Sequence, residues 1–211
     1  MHSRHLKFTA LLILMLPSPA CVSKSEIPAS RSLAAIQAGS ENSGSARAQF
    51  DQAMFSIEGD DGEYPSKVLR GIELLKKSAE QGYAPAQFKL GYFYHTGPLS
   101  YDCLKQEPKN AYYWYEKATK QNYPEAQYEL AMLFNPETGF KKFVDQSKYV
   151  YWMKKAADSG FPKAQYWLGR MYEKGDSVQQ DLRAARLLYQ KAASQGKGYD
   201  PAVKALNRLS R

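Results

Sequence analysis

The sequence has few of the residues that most often build catalytic and metal sites. Its 211 residues include two cysteines and three histidines, and His2 and His5 lie at the very start of the chain. His95 is therefore the one histidine beyond the first five positions. Because zinc sites need several nearby His or Cys ligands and most catalytic triads need a histidine, we expect no metal, no cofactor and no enzymatic activity.

Long apolar segments are also missing. The run from Phe8 to Leu16 is too short to cross a bilayer, and Pro17 and Pro19 end it. A basic start precedes this run and small residues follow it, which is the pattern of an export signal. We predict a signal peptide over residues 1–20, with an uncleaved inner-membrane anchor as the alternative.

Cys21 directly follows the predicted signal and resembles the acylation site of bacterial lipoproteins, although Ser18 stands where that pattern prefers leucine. If Cys21 is acylated, the chain is anchored to a membrane. By analogy with bacterial lipoproteins, the absence of aspartate after Cys21 then favours the outer membrane. If Cys21 is free, it can pair with Cys103 in an oxidising compartment. Either way the predicted location is the periplasm, with an outer-membrane lipoprotein as the anchored form.

The chain carries a formal net charge of +8, and its basic residues are spread over many positions rather than collected in one tract. Nucleic acid is not an expected partner of an exported protein, so the basic surface is either simply solvated or complementary to an acidic partner or anionic lipid headgroups. Residues 21–45 are rich in Ser, Ala and Gly and are predicted to be a flexible linker.

Four copies of a short motif, Ala-Gln followed by Phe or Tyr, divide the remaining chain. They begin at Ala48, Ala86, Ala126 and Ala164, at spacings of 38, 40 and 38 residues. A fixed period of this size is typical of stacked repeats. Small residues also recur where two helices of a unit must approach closely, at Ala53, Gly91, Ala131 and Gly169.

Within the second unit, Gly97-Pro98 is predicted to end the first helix and Asn110 to cap the second. Asn122 is predicted to end the second helix, and Pro124 to open the next unit. The expected domain covers residues 46–211. Its parts are units 46–83, 84–123, 124–161 and 162–198 and a capping helix over 200–211.

The pattern Ala-x3-Leu-Gly-x2-Tyr, a loop, and Ala-x2-Trp-Tyr-x-Lys-Ala is similar to the Sel-one-like repeat (SLR) family, relatives of the tetratricopeptide repeats. The second unit carries it at Ala86, Leu90, Gly91, Tyr94, Ala111, Trp114, Tyr115, Lys117 and Ala118. The resemblance implies an all-α fold, a right-handed α-solenoid of four helix-turn-helix repeats with a C-terminal cap. Loop insertions over 58–64, 98–107 and 136–143 depart from the family pattern.

By analogy with tetratricopeptide repeats, residues two, six and nine positions after each motif alanine should face the concave side. They are Phe50, Met54 and Ile57; Phe88, Tyr92 and His95; Tyr128, Met132 and Asn135; and Tyr166, Arg170 and Glu173. We call these residues the concave lane; all except Ile57 and Glu173 are predicted to bind a partner protein or peptide. The alternative is that the aromatic residue after Ala-Gln packs between units.

Exported SLR proteins resemble periplasmic antidotes that neutralise secreted lipases of rival bacteria, so the resemblance implies an immunity protein that binds such an effector. The first alternative is an adaptor of an envelope assembly, and the less favoured one is a protein that binds or hydrolyses β-lactams. Ser194-x-x-Lys197 matches a motif of penicillin-recognising enzymes, and His95 with Cys103 is a conceivable Cys–His pair. Because no companion motif or third catalytic group accompanies either pair, no small-molecule substrate is expected.

Overall fold

The computed structural model describes residues 44–58, 66–97, 104–195 and 199–210. The predicted signal peptide, Cys21, Cys103 and Lys197 lie outside these residues, as does nearly all of the linker. The described segments contain nine α-helices, which are α1 Ala46–Glu58, α2 Ser66–Glu80, α3 Ala84–Thr96, α4 Pro108–Thr119, α5 Pro124–Phe134, α6 Gln146–Asp158, α7 Pro162–Lys174, α8 Leu182–Ala193 and α9 Asp200–Leu209.

The helices pack in consecutive pairs. In each unit the odd-numbered first helix packs against the even-numbered second helix, and each second helix packs against the first helix of the next unit. Helix α9 packs on α8 and covers the end of the array. This arrangement confirms the predicted α-solenoid of four repeats with a C-terminal cap, because each unit buries its apolar face against its neighbours.

Proline positions define how the first helices begin. Helices α5 and α7 start at Pro124 and Pro162, and the preceding Tyr123 and Phe161 have extended backbones. Proline suits this position because it lacks the N–H that would have no partner in the first turn. The predicted opening of the third unit at Pro124 is therefore confirmed.

The predicted start of α4 at Asn110 is wrong. The helix begins at Pro108, with Glu107 in an extended conformation before it. Pro108 occupies the first helical position in the same way as the prolines of the other units, and the Asn110 side chain donates to the Glu107 carboxylate instead of capping.

Left-handed residues end several helices. Gly97 (φ 86°) follows α3 and confirms the predicted end of that helix. Gly82 and Gly160 have φ of 90° and 86° just after α2 and α6, and Asn122, at the matching point after α4, has φ 56°. Asparagine can replace glycine there because it adopts the left-handed backbone conformation more readily than most residues do.

The two helices of a unit approach most closely at the predicted small residues. A β-carbon on Gly91 would lie 2.7 Å from Tyr115, and one on Gly169 would lie 2.7 Å from Tyr189. In both units a fully buried tyrosine of the second helix fills the space above the glycine. The predicted close approach is therefore confirmed at these two positions.

Candidate partner-binding surface

An aromatic pair lies at the end of each unit, just before the next helix begins. The ring after each Ala-Gln contacts the aromatic residue that precedes the next unit, with ring centroids 5.4 to 5.5 Å apart. The pairs are Phe50–Tyr83, Phe88–Tyr123, Tyr128–Phe161 and Tyr166–Tyr199. The aromatic residues two positions after each motif alanine therefore pack at the borders between units. This agrees with the alternative interpretation of these residues given above.

The motif glutamine also has an internal role, which the sequence analysis did not assign. The buried Gln87 amide donates to the Ala79 carbonyl at 3.0 Å and its oxygen accepts from Gln121 at 2.9 Å. Gln165 repeats both contacts with Ala157 and Gln195. The bonds to Ala79 and Ala157 join neighbouring units, whereas those from Gln121 and Gln195 lie within a unit. The recurrence of Ala-Gln at a fixed period is the signal that could have found them.

The three polar residues of the concave lane that lie nine positions after a motif alanine form hydrogen bonds within the fold. His95 Nδ1 lies 3.3 Å from the Tyr115 hydroxyl, and Glu173 Oε2 accepts from the Tyr189 hydroxyl at 2.6 Å. Asn135 is 8% exposed and its side-chain oxygen accepts from the Glu137 backbone N–H at 2.8 Å. These side chains satisfy buried tyrosines or a turn, which leaves them little surface for a partner.

The residues of the concave lane that lie six positions after each motif alanine remain accessible. Tyr92 is 38% exposed, and Met54, Met132 and Arg170 are half-buried. These four residues lie on the first helix of each unit, six positions after the motif alanine, and we call them the open column. Two methionines, a tyrosine and an arginine give an adaptable surface of the kind that protein partners use.

A small electrostatic cluster lies beside the open column. His95 Nδ1 is 3.7 Å from Glu129 Oε2, and both side chains are less than one-fifth exposed. Burial lowers the pKa of His95, so the imidazole is neutral near pH 7. Burial raises the pKa of the Glu129 carboxyl, and the positive charge of Lys163 opposes that shift. The cluster connects helices α3 and α5.

A cleft of about 230 Å³ opens where the loop after α5 meets the C-terminal half of α7. Apolar, cationic and anionic side chains line it together, including Tyr149, Trp167, Met171, Arg170, Lys174, Glu137 and Asp176. The Arg170 guanidinium lies over the Trp167 ring, 4.6 Å from its centroid. Burial raises the pKa of the Tyr149 hydroxyl, which therefore stays protonated. The cleft joins one end of the open column to the loop insertion over 136–143.

The residues suggested for chemistry are not assembled into a site within the described segments. The Ser194 hydroxyl donates to the Lys191 carbonyl at 2.9 Å, as expected at a helix end, and Lys197 lies outside these segments. His95 faces Tyr115 and Glu129, and Cys103 lies outside the described residues. Across the parts of the chain that the structure describes, no group of three His, Cys, Asp or Glu is placed to hold a metal ion. No helix in those parts is long and apolar enough to cross a membrane.

Two solved structures share the fold and part of the sequence, and one curated protein shares part of the sequence. The protective antigen c5321 of uropathogenic Escherichia coli, which displays an SLR fold, is 31% identical with a TM-score of 0.68; the match covers 80% of this chain and 34% of that one. A Sel1 repeat protein from Oxalobacter formigenes is also 31% identical, with a TM-score of 0.67 and coverages of 80% and 46%. Chitin synthase regulatory factor 3 of Schizosaccharomyces pombe is 39% identical over 87 residues, which are 41% of this chain and 9% of that protein.

This chain thus spans less than half the length of each of these relatives. The model of the Sel1 repeat matches four times, at residues 46–83, 84–123, 124–161 and 162–197. These matches cover well over half of the chain and coincide with the four helix pairs. The chain therefore belongs to the Sel1 repeat family.

Proposed function

We propose that this Sel1-repeat scaffold is an exported immunity protein that binds and neutralises a secreted effector of the lipase type. The partner is bound by the open column and by the cleft beside Arg170. The predicted signal peptide and Cys21 support action in the periplasm, either free or anchored through a lipid. The proposal rests on export, a short repeat array and inserted loops, which are the features that exported SLR antidotes combine.

The cleft is the observation that carries the binding proposal. It presents an arginine stacked on a tryptophan, which is a combination that is enriched in the most important contacts of protein interfaces. Its lining combines carboxylates and a second cation with apolar side chains, so an inserted partner residue can gain both burial and polar contacts. The loop over 136–143 borders the cleft, and loops of this kind vary between related proteins and carry specificity.

Affinity capture with the full chain, followed by activity measurements, tests the proposal. Secreted and envelope fractions are passed over the immobilised chain, and a captured protein is tested for lipase activity with and without added chain. A single stoichiometric secreted enzyme that loses activity on binding supports the immunity function. Capture of envelope assembly components alone would replace it with the adaptor function.

Charge reversal in the cleft locates the binding site. Arg170→Glu is expected to weaken binding at least about tenfold, since interface arginines often contribute more than 1.4 kcal/mol. Arg183→Glu is the matched control, because Arg183 is exposed at the start of α8 and belongs to neither the open column nor the cleft. If the two variants bind the effector with equal affinity, the cleft is not part of the binding site.

A further inference from the structure

Charge is divided unevenly between the two sets of helices. Helices α1, α3, α5 and α7 together contain five Lys or Arg and five Asp or Glu residues. Helices α2, α4, α6 and α8 contain twelve Lys or Arg and four Asp or Glu residues. The first helices are therefore neutral in sum, and the second helices carry a net charge of +8. The alternation of the two sets along the chain hides this difference in the linear sequence.

Large apolar side chains are exposed on the same second helices. Tyr113, Tyr151 and Leu187 occupy corresponding positions in α4, α6 and α8, and they are 47%, 52% and 53% exposed. A lysine follows each of them after one helical turn. We call this surface the outer face: Tyr113, Lys117, Tyr151, Lys155, Leu187 and Lys191. Repetition in three stacked units makes it an extended surface and not a single spot.

The cations and rings of the outer face lie close together. The Lys117 ammonium is 4.8 Å from the Tyr113 ring centroid, and the Lys155 ammonium is 5.9 Å from that of Tyr151. Trp114 and Trp152 stand edge-on to these tyrosines, at centroid distances of 5.0 and 5.1 Å. Each of these two helices therefore offers an aromatic pair with a cation beside it, as side chains at membrane interfaces do.

Acidic residues do little to offset these cations. Glu116 of α4 is paired with Lys120 at 3.4 Å, and Asp158 is the last residue of α6. Helix α8 contains no acidic residue between Leu182 and Ala193. A second copy of the chain would present the same positive face, so like-charge repulsion disfavours self-association through it.

The geometry points to adsorption of the outer face on an anionic phospholipid bilayer. Phosphate headgroups complement the lysines and arginines, and the tyrosine rings and Leu187 reach the boundary between headgroups and acyl chains. A lipid surface needs no deep pocket, which suits exposed side chains that stand out from a row of helices. This inference is independent of the effector proposal, because it uses the second helices and not the open column or the cleft.

Vesicle co-sedimentation of the full chain tests the inference. Binding is expected to phosphatidylcholine vesicles that contain phosphatidylglycerol, to be absent with phosphatidylcholine alone, and to weaken as salt is raised. Lys117→Gln, Lys155→Gln and Lys191→Gln combined should lower partitioning about 100-fold, since each cation near an anionic surface contributes about fivefold. Arg170→Glu is the control, because it changes a charge that does not belong to the outer face. This variant should bind vesicles as the unchanged chain does.

Tryptophan fluorescence identifies the face that touches the bilayer. The chain has three tryptophans, Trp114 and Trp152 on the second helices and Trp167 in the cleft, so the N-terminal segment contributes no signal. Brominated phosphatidylglycerol should strongly quench the fluorescence of the Trp167→Phe variant, in which Trp114 and Trp152 remain. It should quench the variant with both Trp114→Phe and Trp152→Phe weakly, because only the cleft tryptophan remains.

Three results would overturn the inference. They are equal vesicle binding by the triple lysine variant, stronger quenching of Trp167 than of the other two tryptophans, and retention on immobilised polyglutamate without any vesicle binding. The last result would assign the outer face to an acidic protein. Thermal unfolding followed by circular dichroism checks that each variant is folded. The vesicle tests can fail while Arg170→Glu alone still loses effector binding. That combination would overturn the membrane inference and leave the proposed function intact.

Discussion

Gly91 lies so close to the ring of Tyr115 that a β-carbon on Gly91 would come within 2.7 Å of Tyr115 Cδ1. The fourth unit repeats this contact with Gly169 and Tyr189. In the third unit the corresponding positions hold Ala131 and Met153, both fully buried. A small residue on the first helix is therefore matched to a wide ring on the second, and a larger one to a narrower side chain.

Gly91→Ala should destabilise the protein by about 1–3 kcal/mol, because the added methyl group forces the fully buried Tyr115 ring to move. The ring cannot yield easily, since its hydroxyl lies 3.3 Å from His95 and Phe88 stacks against it. Urea unfolding followed by circular dichroism measures the change.

The double variant Gly91→Ala with Tyr115→Met copies the pair found in the third unit. It should recover part of the stability lost by Gly91→Ala, even though Tyr115→Met alone removes a ring and its hydrogen bond. Strictly additive losses in this double-mutant cycle would show that the glycine and the tyrosine are not sterically matched.

The contact between Phe88 and Tyr123 should stabilise the boundary between the second and third units. Phe88→Leu and Tyr123→Leu are each expected to lower stability, with a coupling of about 0.5–1.5 kcal/mol between the two rings. Urea unfolding of both single variants and the double variant measures this coupling. Tyr113→Leu serves as the control because its ring is nearly half exposed, and it should change stability by at most about 0.5 kcal/mol.

The buried amide of Gln87 should contribute more to stability than an exposed glutamine that makes a similar bond. Gln87→Leu removes two hydrogen bonds, one to the Ala79 carbonyl and one from the Gln121 amide, at a combined cost of about 1–3 kcal/mol. Gln81→Leu removes the exposed bond between Gln81 and Gln49 and should cost about 0.5 kcal/mol or less. Similar losses in both variants, measured by urea unfolding, would mean that burial of the Gln87 bond is not what makes it important.

The sequence was sufficient for the fold because the repeat signals are local. Glycine, proline and the recurrent Ala-Gln motif mark helix ends and unit borders, and the structure departs at α4 only because Pro108 supplies an earlier start than Asn110. Which lane residues stay accessible could not be predicted in the same way. The position of Tyr128 within its helix gives the direction of its side chain. Its burial, however, depends on Phe161, which lies 33 residues further along the chain at the end of the same unit.

Glu129 should make stability depend on pH in a direction that can be derived from its burial. Burial raises the pKa of its carboxyl when the chain is folded, so the folded state binds more protons than the unfolded state just above pH 4.5. Stability due to this group therefore falls as pH rises from about 4.5 through the raised folded pKa. His95 has the opposite effect, because burial lowers its pKa and stability falls when pH drops below about 6.5.

Glu129→Gln separates the two effects. The variant keeps an amide of similar shape without the buried negative charge, so we expect a higher urea midpoint than that of the unchanged chain at pH 7 and a similar midpoint at pH 4. Urea unfolding at intervals between pH 4 and pH 8 provides the comparison, and His95→Gln should flatten the acid side of the profile and not the neutral side. If Glu129→Gln is instead less stable at pH 7 and unchanged at pH 4, the attraction of Lys163 outweighs the loss of hydration. Glu129 would then stabilise the boundary between the second and third units as a charged group.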